Sequence, residues 1–347
     1  MERILNVALV GYGFVGKVFH APLIANTLGL RLHSVVSSDG GKVHADHPDV
    51  RVVADAGFAF ADPDIDLVVI AAPNAAHAAL AEAALAQGKH VVVDKPFTVS
   101  LEEARQVVAH ASRAQRIVSV FQNRRWDADF LTVQKLVAQN ALGDVAEFHS
   151  HFDRYRPVVA ARWREQDQPG SGVWYDLGPH LLDQALQLFG MPEAITADIA
   201  LQREGAQTAD YFHVLLRYPK LRVILHAGVL VAAHGLRFAV HGTRGSYVKH
   251  GMDPQEEALR EGQVPGQSGW GKDPQPGTLY SGAEARSEVV ESVPGDYLRY
   301  YSRLRDAILR GDTPPVTTAQ ALQVMAMLEW GMRSSNERRE IVCAPIT

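Results

Sequence analysis

The chain has 347 residues, 47% of them hydrophobic and 21% charged, with a formal net charge of −5. It is long enough for about two globular domains, and its acidic balance excludes an electrostatic basis for binding nucleic acid or an anionic membrane. No run reaches the roughly 20 apolar residues of a membrane span, and the first residues enter a strand pattern without a signal peptide, so we expect a cytoplasmic protein.

Residues 1–121 alternate short apolar runs with helix-like stretches. The runs ILNVALVG, RLHSVVSS, DLVVIAAP, KHVVVDKP and IVSVFQN have strand length without polar alternation, which is typical of strands covered on both faces. Between them, AHAALAEAALAQG and SLEEARQVVAHASRAQR have helical spacing, the second with Ser100 and Glu103 in capping-box positions. This alternation predicts a doubly wound parallel sheet, which binds ligands beyond the carboxyl ends of its strands.

Residues 122–347 have a different pattern. ADFLTVQKLVAQNALG indicates a helix closed by Gly143, and partly alternating runs then predict an antiparallel sheet: VAEFHSHFDRYR, AITADIALQ, DYFHVLLRY, RVILHAGVLV and LRFAVHGTRGSYVKHG. Residues 253–295 have little periodicity and are expected to form a long excursion from that sheet. Two closing helices are predicted in YLRYYSRLRDAILRG and TAQALQVMAMLEWGMRSSNERR. We therefore expect two domains, over 1–121 and 122–347.

The first predicted strand runs into a glycine-rich turn. Gly11, Gly13 and Gly16 have G-x-G-x-x-G spacing between that strand and the first helix, with Phe14 and Val15 in the same turn. The first glycine permits the tight turn, the second lets a pyrophosphate approach the backbone, and the third lets helix and strand pack closely. In this context the motif predicts dinucleotide binding.

The end of the second predicted strand bears on which dinucleotide is bound. An NAD enzyme usually carries an Asp or Glu there, whereas this chain has Ser37 and Ser38. A serine hydroxyl accommodates a 2′-phosphate that a carboxylate would repel, and Lys42 adds positive charge. Asp39 would restore the NAD interpretation if it pointed inward. The sequence favours NADP over NAD.

Two further constellations carry ionisable groups. Lys95 and Pro96 end the HVVVDKPFT run, where a charge is either a solvated strand end or a functional group at the ligand edge. Asp176 and His180 are four residues apart and share a helix face, although a capping Asp and a core His would give the same pattern.

Metal binding is a further interpretation of the histidines. His149 and His151 alternate on one predicted strand face and are also potential ligands. No third ligand follows at a recognisable spacing, so no metal site is predicted.

Several stretches together resemble the glucose-fructose oxidoreductase and inositol dehydrogenase (Gfo/Idh/MocA) family over nearly the whole chain. They are GYGFVG, APNAAHAALAEAALAQGKHVVVDKPFT, FQNRRWDADF, FDRYRP and GVWYDLGPHLLDQALQLFG. Within the family, FQNRRWD, HFDRYRP and HGTRGSYVKHGMDPQEE are most similar to bacterial NADP-dependent scyllo-inositol dehydrogenases. The resemblance implies an N-terminal Rossmann domain and a C-terminal α+β domain, built on a large, mostly antiparallel sheet, for substrate binding and oligomerisation.

The resemblance also implies roles for individual residues. The family's Glu-Lys-Pro motif is Asp94, Lys95 and Pro96 here, so only the acid departs from the pattern. Lys95 would stabilise charge on the reacting oxygen, His180 would accept its proton, and Asp176 would orient the imidazole or contact substrate, although a desolvated Lys95 could also be the base. Implied cofactor contacts beyond the glycine turn and serines are Pro73, Asn74, His77, Lys95, Pro96, Asn123 and Arg125. Implied substrate contacts are Lys95, Arg154, Tyr155, Arg156, Trp163, Asp176 and His180.

The expected function is therefore hydride transfer between NADP and a cyclic polyol or sugar, with scyllo-inositol and scyllo-inosose as the leading pair. A dehydrogenase of another sugar is an alternative, as is a non-enzymatic relative that senses dinucleotides. Reduction of imines or tetrapyrroles and NAD-using glycoside hydrolysis are less favoured because the inositol-like stretches are present. We expect a homodimer or homotetramer that assembles through the C-terminal sheet.

Overall fold

The structure is a computed structural model that describes residues 3–161, 163–233 and 235–346, except for the side chain of Trp163. The chain divides into two compact units. The first comprises Met1–Asn123, Gln255–Trp270 and Asp296–Leu322, and the second comprises Arg124–Pro254, Gly271–Gly295 and Gln323–Thr347. The expected domain boundary, between residues 121 and 122, lies near the division between Asn123 and Arg124. The two expected domains stay a prediction.

The first unit is built on a six-stranded parallel sheet in the order β3-β2-β1-β4-β5-β6. The central strand β4 is fully apolar and buried, and β5 is apolar and buried after His90, as expected for a sheet covered on both faces. The strands are β1 (Leu5–Val10), β2 (Leu30–Val36), β3 (Arg51–Val53), β4 (Leu67–Ile70), β5 (His90–Val93) and β6 (Val118–Val120). The predicted doubly wound sheet is confirmed. The sequence interpretation missed β3, which has only three residues and no long apolar run.

The second unit is built on a nine-stranded sheet in the order β14-β13-β12-β11-β7-β10-β9-β8-β15. Its pairs are antiparallel except for β7 with β10, which run parallel at the centre of the sheet. The strands are β7 (Val145–His151), β8 (Ala194–Ala200), β9 (Tyr211–Arg217), β10 (Arg222–Gly228), β11 (Leu236–Gly242), β12 (Gly245–His250), β13 (Gly277–Ser281), β14 (Ser287–Val290) and β15 (Ile341–Val342). The mostly antiparallel sheet is confirmed.

The helices include both of the predicted closing helices. They are α1 (Ala21–Ala25), α2 (Gly40–Asp46), α3 (Ala56–Ala61), α4 (His77–Ala86), α5 (Leu101–Ala114), α6 (Ala128–Ala138), α7 (Gly172–Phe189), α8 (Gln255–Arg260), α9 (Leu298–Arg310) and α10 (Thr318–Glu337). Half of the predicted capping box is present, because the Ser100 hydroxyl accepts the Glu103 amide, 3.2 Å away, whereas the Glu103 carboxylate accepts the Val99 amide rather than that of Ser100. None of the described helices is long and apolar enough to cross a membrane.

The expectation for residues 253–295 was wrong in part. This stretch contains α8, and β13 and β14 extend the large sheet by a hairpin on β12. Both strands are short and carry mostly half-buried or exposed side chains, so they lack the apolar pattern that reveals a core strand.

The core of the second unit joins the sheet to its helices through aromatic packing and one buried cation. The Trp174 indole on α7 donates to the Leu328 carbonyl on α10, 3.1 Å away. Arg237 on β11 is buried, with its guanidinium 3.0 Å from the Asp129 carboxylate on α6 and 2.9 Å from the Gln184 side-chain oxygen on α7. These contacts fix α7, which carries two of the candidate catalytic residues.

Candidate functional site

The glycine turn has backbone positions where a side chain would collide and one where the backbone is open. Gly11 has φ +99°, and a Cβ there would lie 2.5 Å from the Ala71 carbonyl oxygen. A Cβ on Gly16 would lie 2.1 Å from the Gly11 carbonyl oxygen, whereas a Cβ on Gly13 would meet nothing within 4 Å. Gly11 and Gly16 are therefore required by packing, and Gly13 presents bare backbone to open space. Such a turn fits a dinucleotide pyrophosphate.

Beside the turn, the end of β2 has one carboxylate engaged and one ammonium group nearby. Asp39 caps α2, because its side-chain oxygen accepts the Lys42 amide, 2.9 Å away. The Lys42 ammonium donates to the Tyr12 carbonyl oxygen within the glycine turn, 3.0 Å away. Ser37 is half-buried and Ser38 is exposed. The serines and Lys42 thus border the turn, while the Asp39 carboxylate is directed at the N-terminus of α2.

The loops after β4 and β5 are tied together by His77. Its Nδ1 lies 2.9 Å from the Pro96 carbonyl oxygen and its Nε2 lies 3.0 Å from the Ala72 carbonyl oxygen. A neutral ring donates one of these hydrogen bonds and a protonated ring donates both. His77 is buried, and its two ring nitrogens thus link the backbone after β4 to the backbone of the Lys95–Pro96 segment. In the segment after β4, Asn74 is buried and Pro73 is exposed.

Lys95 follows β5 directly and has a buried acid beside it. Burial alone would raise the pKa of Asp94, but attraction to His20 and to Lys95 outweighs burial, so its pKa lies below the ordinary value. The His20 Nε2 lies 3.9 Å from Asp94 Oδ1, and the His20 Nδ1 lies 2.6 Å from the Tyr301 hydroxyl on α9. Asp94 is therefore ionised at neutral pH and places a negative charge directly before Lys95 in the chain.

In the second unit, α7 presents Asp176 and His180 one turn apart on the same face. Asp176 accepts from the Arg154 guanidinium, 3.3 Å away, and the Arg164 Nε lies 4.0 Å from its other oxygen. His180 is buried and Asp176 is half-buried. The sequence interpretation that placed Asp176 as a mere helix cap is excluded, because the helix begins at Gly172.

Arg125 is also held by α7, through Asp183. Its guanidinium makes a bidentate pair with the buried Asp183 carboxylate, at 2.8 Å and 2.6 Å. Such planar pairing orients both side chains and ties the start of the second unit to α7. Asn123, expected with Arg125 as a cofactor contact, is buried at the end of the first unit.

The loop with the remaining predicted substrate contacts is held by a buried arginine. Arg203 pairs with Asp210 at 2.9 Å and with Glu165 at 2.5 Å, and it donates to the Arg156 carbonyl oxygen, 3.1 Å away. The Tyr155 side chain is 61% exposed, so this residue is available to a ligand or to solvent. The side chain of Trp163 lies outside the described residues.

Three residues that matter to this arrangement were missed in the sequence interpretation: His20, Asp183 and Arg203. Each one acts through a partner at least seven positions away in the sequence. The single local signal was the i, i+4, i+7 spacing of Asp176, His180 and Asp183, which indicates a polar stripe along α7.

Ionisable groups also lie together on one face of the nine-stranded sheet, the face that bears Glu147, His149 and His151 of β7. One group is Glu147, His149 and His241, in which the Glu147 carboxylate lies 2.5 Å from the His149 Nε2. The His241 Nδ1 lies 2.8 Å from the Ser246 hydroxyl. Glu147 and His149 are thus hydrogen-bonded to each other, and His241 is hydrogen-bonded to Ser246.

The second group on the same face is His151, Asp153 and His226. The His151 Nδ1 and the His226 Nε2 each lie 3.4 Å from a different oxygen of Asp153. Burial is the largest effect and lowers the pKa of His226; the Asp153 carboxylate opposes it, and the imidazoles of His151 and His213 lower the pKa further. His226 is therefore neutral at pH 7.

Comparison with known proteins agrees with this geometry. Residues 5–122 match the "Oxidoreductase family, NAD-binding Rossmann fold" profile, and residues 134–343 match "Oxidoreductase family, C-terminal alpha/beta domain". The chain is 53% identical to the uncharacterized oxidoreductase YdgJ of Escherichia coli K12, over 99% of this chain and 100% of YdgJ. It is 40% identical to the scyllo-inositol 2-dehydrogenase (NADP(+)) IolW of Bacillus subtilis 168, over 97% of this chain and 96% of IolW.

A solved structure from Yersinia pestis, described as a candidate oxidoreductase, has a TM-score of 0.96 to this chain at 48% identity, covering 100% of this chain and 99% of that one. The family profiles span most of both units and coincide with the two sheets. The chain therefore belongs to the Gfo/Idh/MocA family of oxidoreductases, with an NAD-binding Rossmann domain and the family's C-terminal α/β domain.

Proposed function

We propose that this oxidoreductase is an NADP-dependent dehydrogenase of CH–OH groups in cyclic polyols or sugars, with scyllo-inositol and scyllo-inosose as the leading pair. The observation that carries the proposal is Lys95, which stands at the carboxyl end of β5 with an ionised Asp94 beside it. This is the edge of a doubly wound sheet where ligands bind. The 40% identity to IolW over nearly the full length supports the choice of substrate.

Bound nicotinamide would accept a hydride from the carbinol carbon, leaving a carbonyl group. The residues of the chain would manage the hydroxyl. The Lys95 ammonium stabilises negative charge that develops on the oxygen as its proton departs. His180 accepts that proton, and Asp176 keeps Arg154 directed toward the same helix face. The oxygen thus loses one proton, its carbon loses one hydride, and the product is the ketone.

The side chains that follow β2 support a preference for NADP. The Asp39 carboxylate caps α2, so the acid that could select NAD is already engaged. The hydroxyls of Ser37 and Ser38 and the ammonium of Lys42 can instead bind a 2′-phosphate, for which hydrogen bonds and positive charge are favourable.

A polyol substrate is supported by the donors on the loop that Arg203 holds. Arg154, Tyr155 and Arg156 follow β7 in succession and bring two guanidinium groups and a phenol. Several donors of this kind suit a ring with many hydroxyls, because every unpaired hydroxyl in a binding site is costly.

Assembly through the large sheet is part of the proposal. The face with Glu147, His149 and His151 also presents Leu215 and Ile224, which are half-buried within the single chain. A homodimer or homotetramer would cover this face, and light scattering of the purified protein would measure the assembly.

The decisive experiment is a hydride-transfer assay with the purified chain. Scyllo-inositol, myo-inositol and glucose are each oxidised with NADP and with NAD, and scyllo-inosose is reduced with NADPH, while absorbance of the reduced nicotinamide is followed. We expect the fastest turnover with scyllo-inositol and NADP. A Lys95→Met variant measured in parallel identifies any activity from a contaminant.

Two other outcomes would replace the proposal. A higher rate with glucose or another sugar would indicate a dehydrogenase of that sugar. Tight NADPH binding with no turnover of any polyol or sugar would favour a dinucleotide sensor.

A further inference from the structure

We propose that His151, Asp153 and His226 form a binding site for a divalent transition-metal ion of the zinc type, on the face of the nine-stranded sheet that bears alternate residues of β7. Two imidazoles and one carboxylate are a ligand set that zinc uses when a fourth position is left to water or another group. One donor atom from each of the three side chains lies within 4.8 Å of the others. The site is independent of the proposed dehydrogenase chemistry.

The strand register creates this arrangement. His151 on β7 is directly paired with His226 on β10 in the central parallel ladder, so the two side chains lie side by side. Their ring centroids are 5.0 Å apart. Asp153 comes two residues after His151 and therefore projects to the same side of the chain. A long-range strand pair and a local alternation thus bring three ligands together.

The distances suit a shared cation better than direct hydrogen bonds. Each imidazole nitrogen that faces Asp153 lies 3.4 Å from one of its oxygens, whereas an N–H···O⁻ bond is normally about 2.7–2.9 Å. Two ligands bound tetrahedrally to zinc at about 2.0–2.1 Å are separated by about 3.3–3.4 Å. Each of the two nitrogen–oxygen distances, which involve different oxygens of Asp153, matches the separation of two ligands on one zinc ion.

The surroundings fix the ligands in the manner of a second coordination shell. Asp153 Oδ1 accepts the Gly228 amide, 2.9 Å away, which orients the carboxylate. The His226 ring packs edge-on against Tyr211, with centroids 5.3 Å apart. The remaining nitrogens, His151 Nε2 and His226 Nδ1, are buried and have no hydrogen-bond partner among the described residues. These nitrogens are not the ones that face Asp153, so an ion bound between the three side chains would leave them as they are.

The neighbouring group provides an internal contrast. Glu147 and His149 are only 2.5 Å apart, which is a hydrogen-bond distance and too short for two ligands of one zinc ion. His241, the third member, has its Nδ1 at hydrogen-bond distance from Ser246. His241→Gln therefore removes an imidazole from the same sheet face without touching the proposed site.

The test is metal titration of the full-length, tag-free protein after dialysis against a chelator. Co²⁺ replaces Zn²⁺ as the visible probe, and Zn²⁺ is then added to displace it. We expect one equivalent of Co²⁺ per chain, with intense d–d bands of a four-coordinate site, and without the thiolate charge-transfer band that Cys343 would produce. His226→Gln and Asp153→Asn should each weaken binding at least tenfold, whereas His241→Gln should bind as the parent does.

Far-UV circular dichroism and NADPH titration establish that each variant is folded, and His151→Gln replaces any variant that is not. A parent protein that binds no Co²⁺ would overturn the proposal. So would parental affinity in folded His226→Gln and Asp153→Asn variants, or loss of binding in His241→Gln alone. Each of these results would leave the dehydrogenase assay unaffected.

Discussion

The two units hold their candidate site residues by different means. In the first, Lys42 and His77 are held by backbone atoms: the Lys42 ammonium donates to the Tyr12 carbonyl, and His77 lies between two carbonyl oxygens. In the second, the partners are side chains, as in the pairs of Arg154 with Asp176 and of Arg125 with Asp183. A backbone carbonyl remains as a partner when its residue is substituted. A side-chain pair loses its interaction when either residue is substituted.

This difference has a consequence for the energetics of each site. A group held by backbone depends on the local course of the chain, so it is disturbed mainly where a new side chain collides with that backbone. A buried ion pair leaves an uncompensated charge when one partner is removed, and that charge is expensive. The following variants test each half of the comparison, beginning with the largest expected effect.

The His180→Ala variant tests the chemistry of the second unit. We expect turnover of scyllo-inositol to fall by about 10²–10⁴-fold, the contribution of a general base. The parental rate should fall as pH is lowered, because a protonated imidazole cannot accept a proton, and the variant should lose this acid limb. NADPH titration should be unchanged. Near-parental turnover in the folded variant would transfer the role of base to Lys95.

The Arg203→Met variant tests the ion pairs of the second unit. It leaves the buried carboxylates of Asp210 and Glu165 without their cation, and we expect the free energy of unfolding to fall by about 3–5 kcal/mol. Arg217→Met is the matched control, since Arg217 also pairs with two carboxylates but at the surface. Chemical denaturation measures both, and similar losses in the two variants would contradict the distinction.

The Lys95→Met variant tests the first unit. We expect turnover to fall by about 10²–10³-fold, as for loss of one electrostatic donor in the transition state. Lys89→Met is the control at the other end of β5, where the ammonium donates to the Asp62 and Ile65 carbonyls at 2.6 Å and 2.9 Å. That variant should lose stability but keep its turnover per folded molecule. Enzyme assays measure the loss of turnover expected for Lys95→Met, and thermal melts measure the loss of stability expected for Lys89→Met.

The glycine turn allows a sharper test of backbone packing. Gly16→Ala places a Cβ against the Gly11 carbonyl, and we expect a loss of stability of about 1–3 kcal/mol, as for overpacking. Gly13→Ala meets no neighbour and should fold like the parent, but its methyl group would occupy the space proposed for the pyrophosphate. Thermal melts and NADPH titration should therefore rank the two variants in opposite orders.

The Ser37→Asp variant tests the dinucleotide preference. We expect the parent to bind NADP at least tenfold more tightly than NAD, a difference of about 1.4 kcal/mol, and the aspartate to narrow or reverse this ratio by repelling the 2′-phosphate. Ser37→Asn has a similar shape without the charge and should keep most of the preference. Equal dissociation constants for the two dinucleotides in the parent would exclude this assignment.

The comparison also explains what could be predicted from the sequence. The parallel sheet, the glycine turn and the strand-end lysine follow from short segments, because alternation, turn residues and strand ends are local properties. The hairpin of β13 and β14 was missed because its residues are mostly exposed and have no apolar period. Its existence depends on pairing with β12.

In the second unit, the sequence showed the residues on α7 but not their partners. Asp176 and His180 share a helix face by spacing alone. The Arg125–Asp183 pair joins positions 58 apart, and the pair of Tyr301 with His20 in the first unit joins positions 281 apart. No periodicity encodes such pairs, since they arise only when strands and helices have packed.

The parallel pairing of β7 with β10 also constrains how the second unit folds. Gly228 and Asp153 are joined by a hydrogen bond across 75 residues, so the chain between them must close before this pair yields any stabilisation. Contacts of such long range make folding slow. The group of His151, Asp153 and His226 exists only after that closure, so an ion bound there would mainly retard unfolding. A metal ion bound beside the central strand pair would then slow unfolding and lengthen the lifetime of the folded sheet.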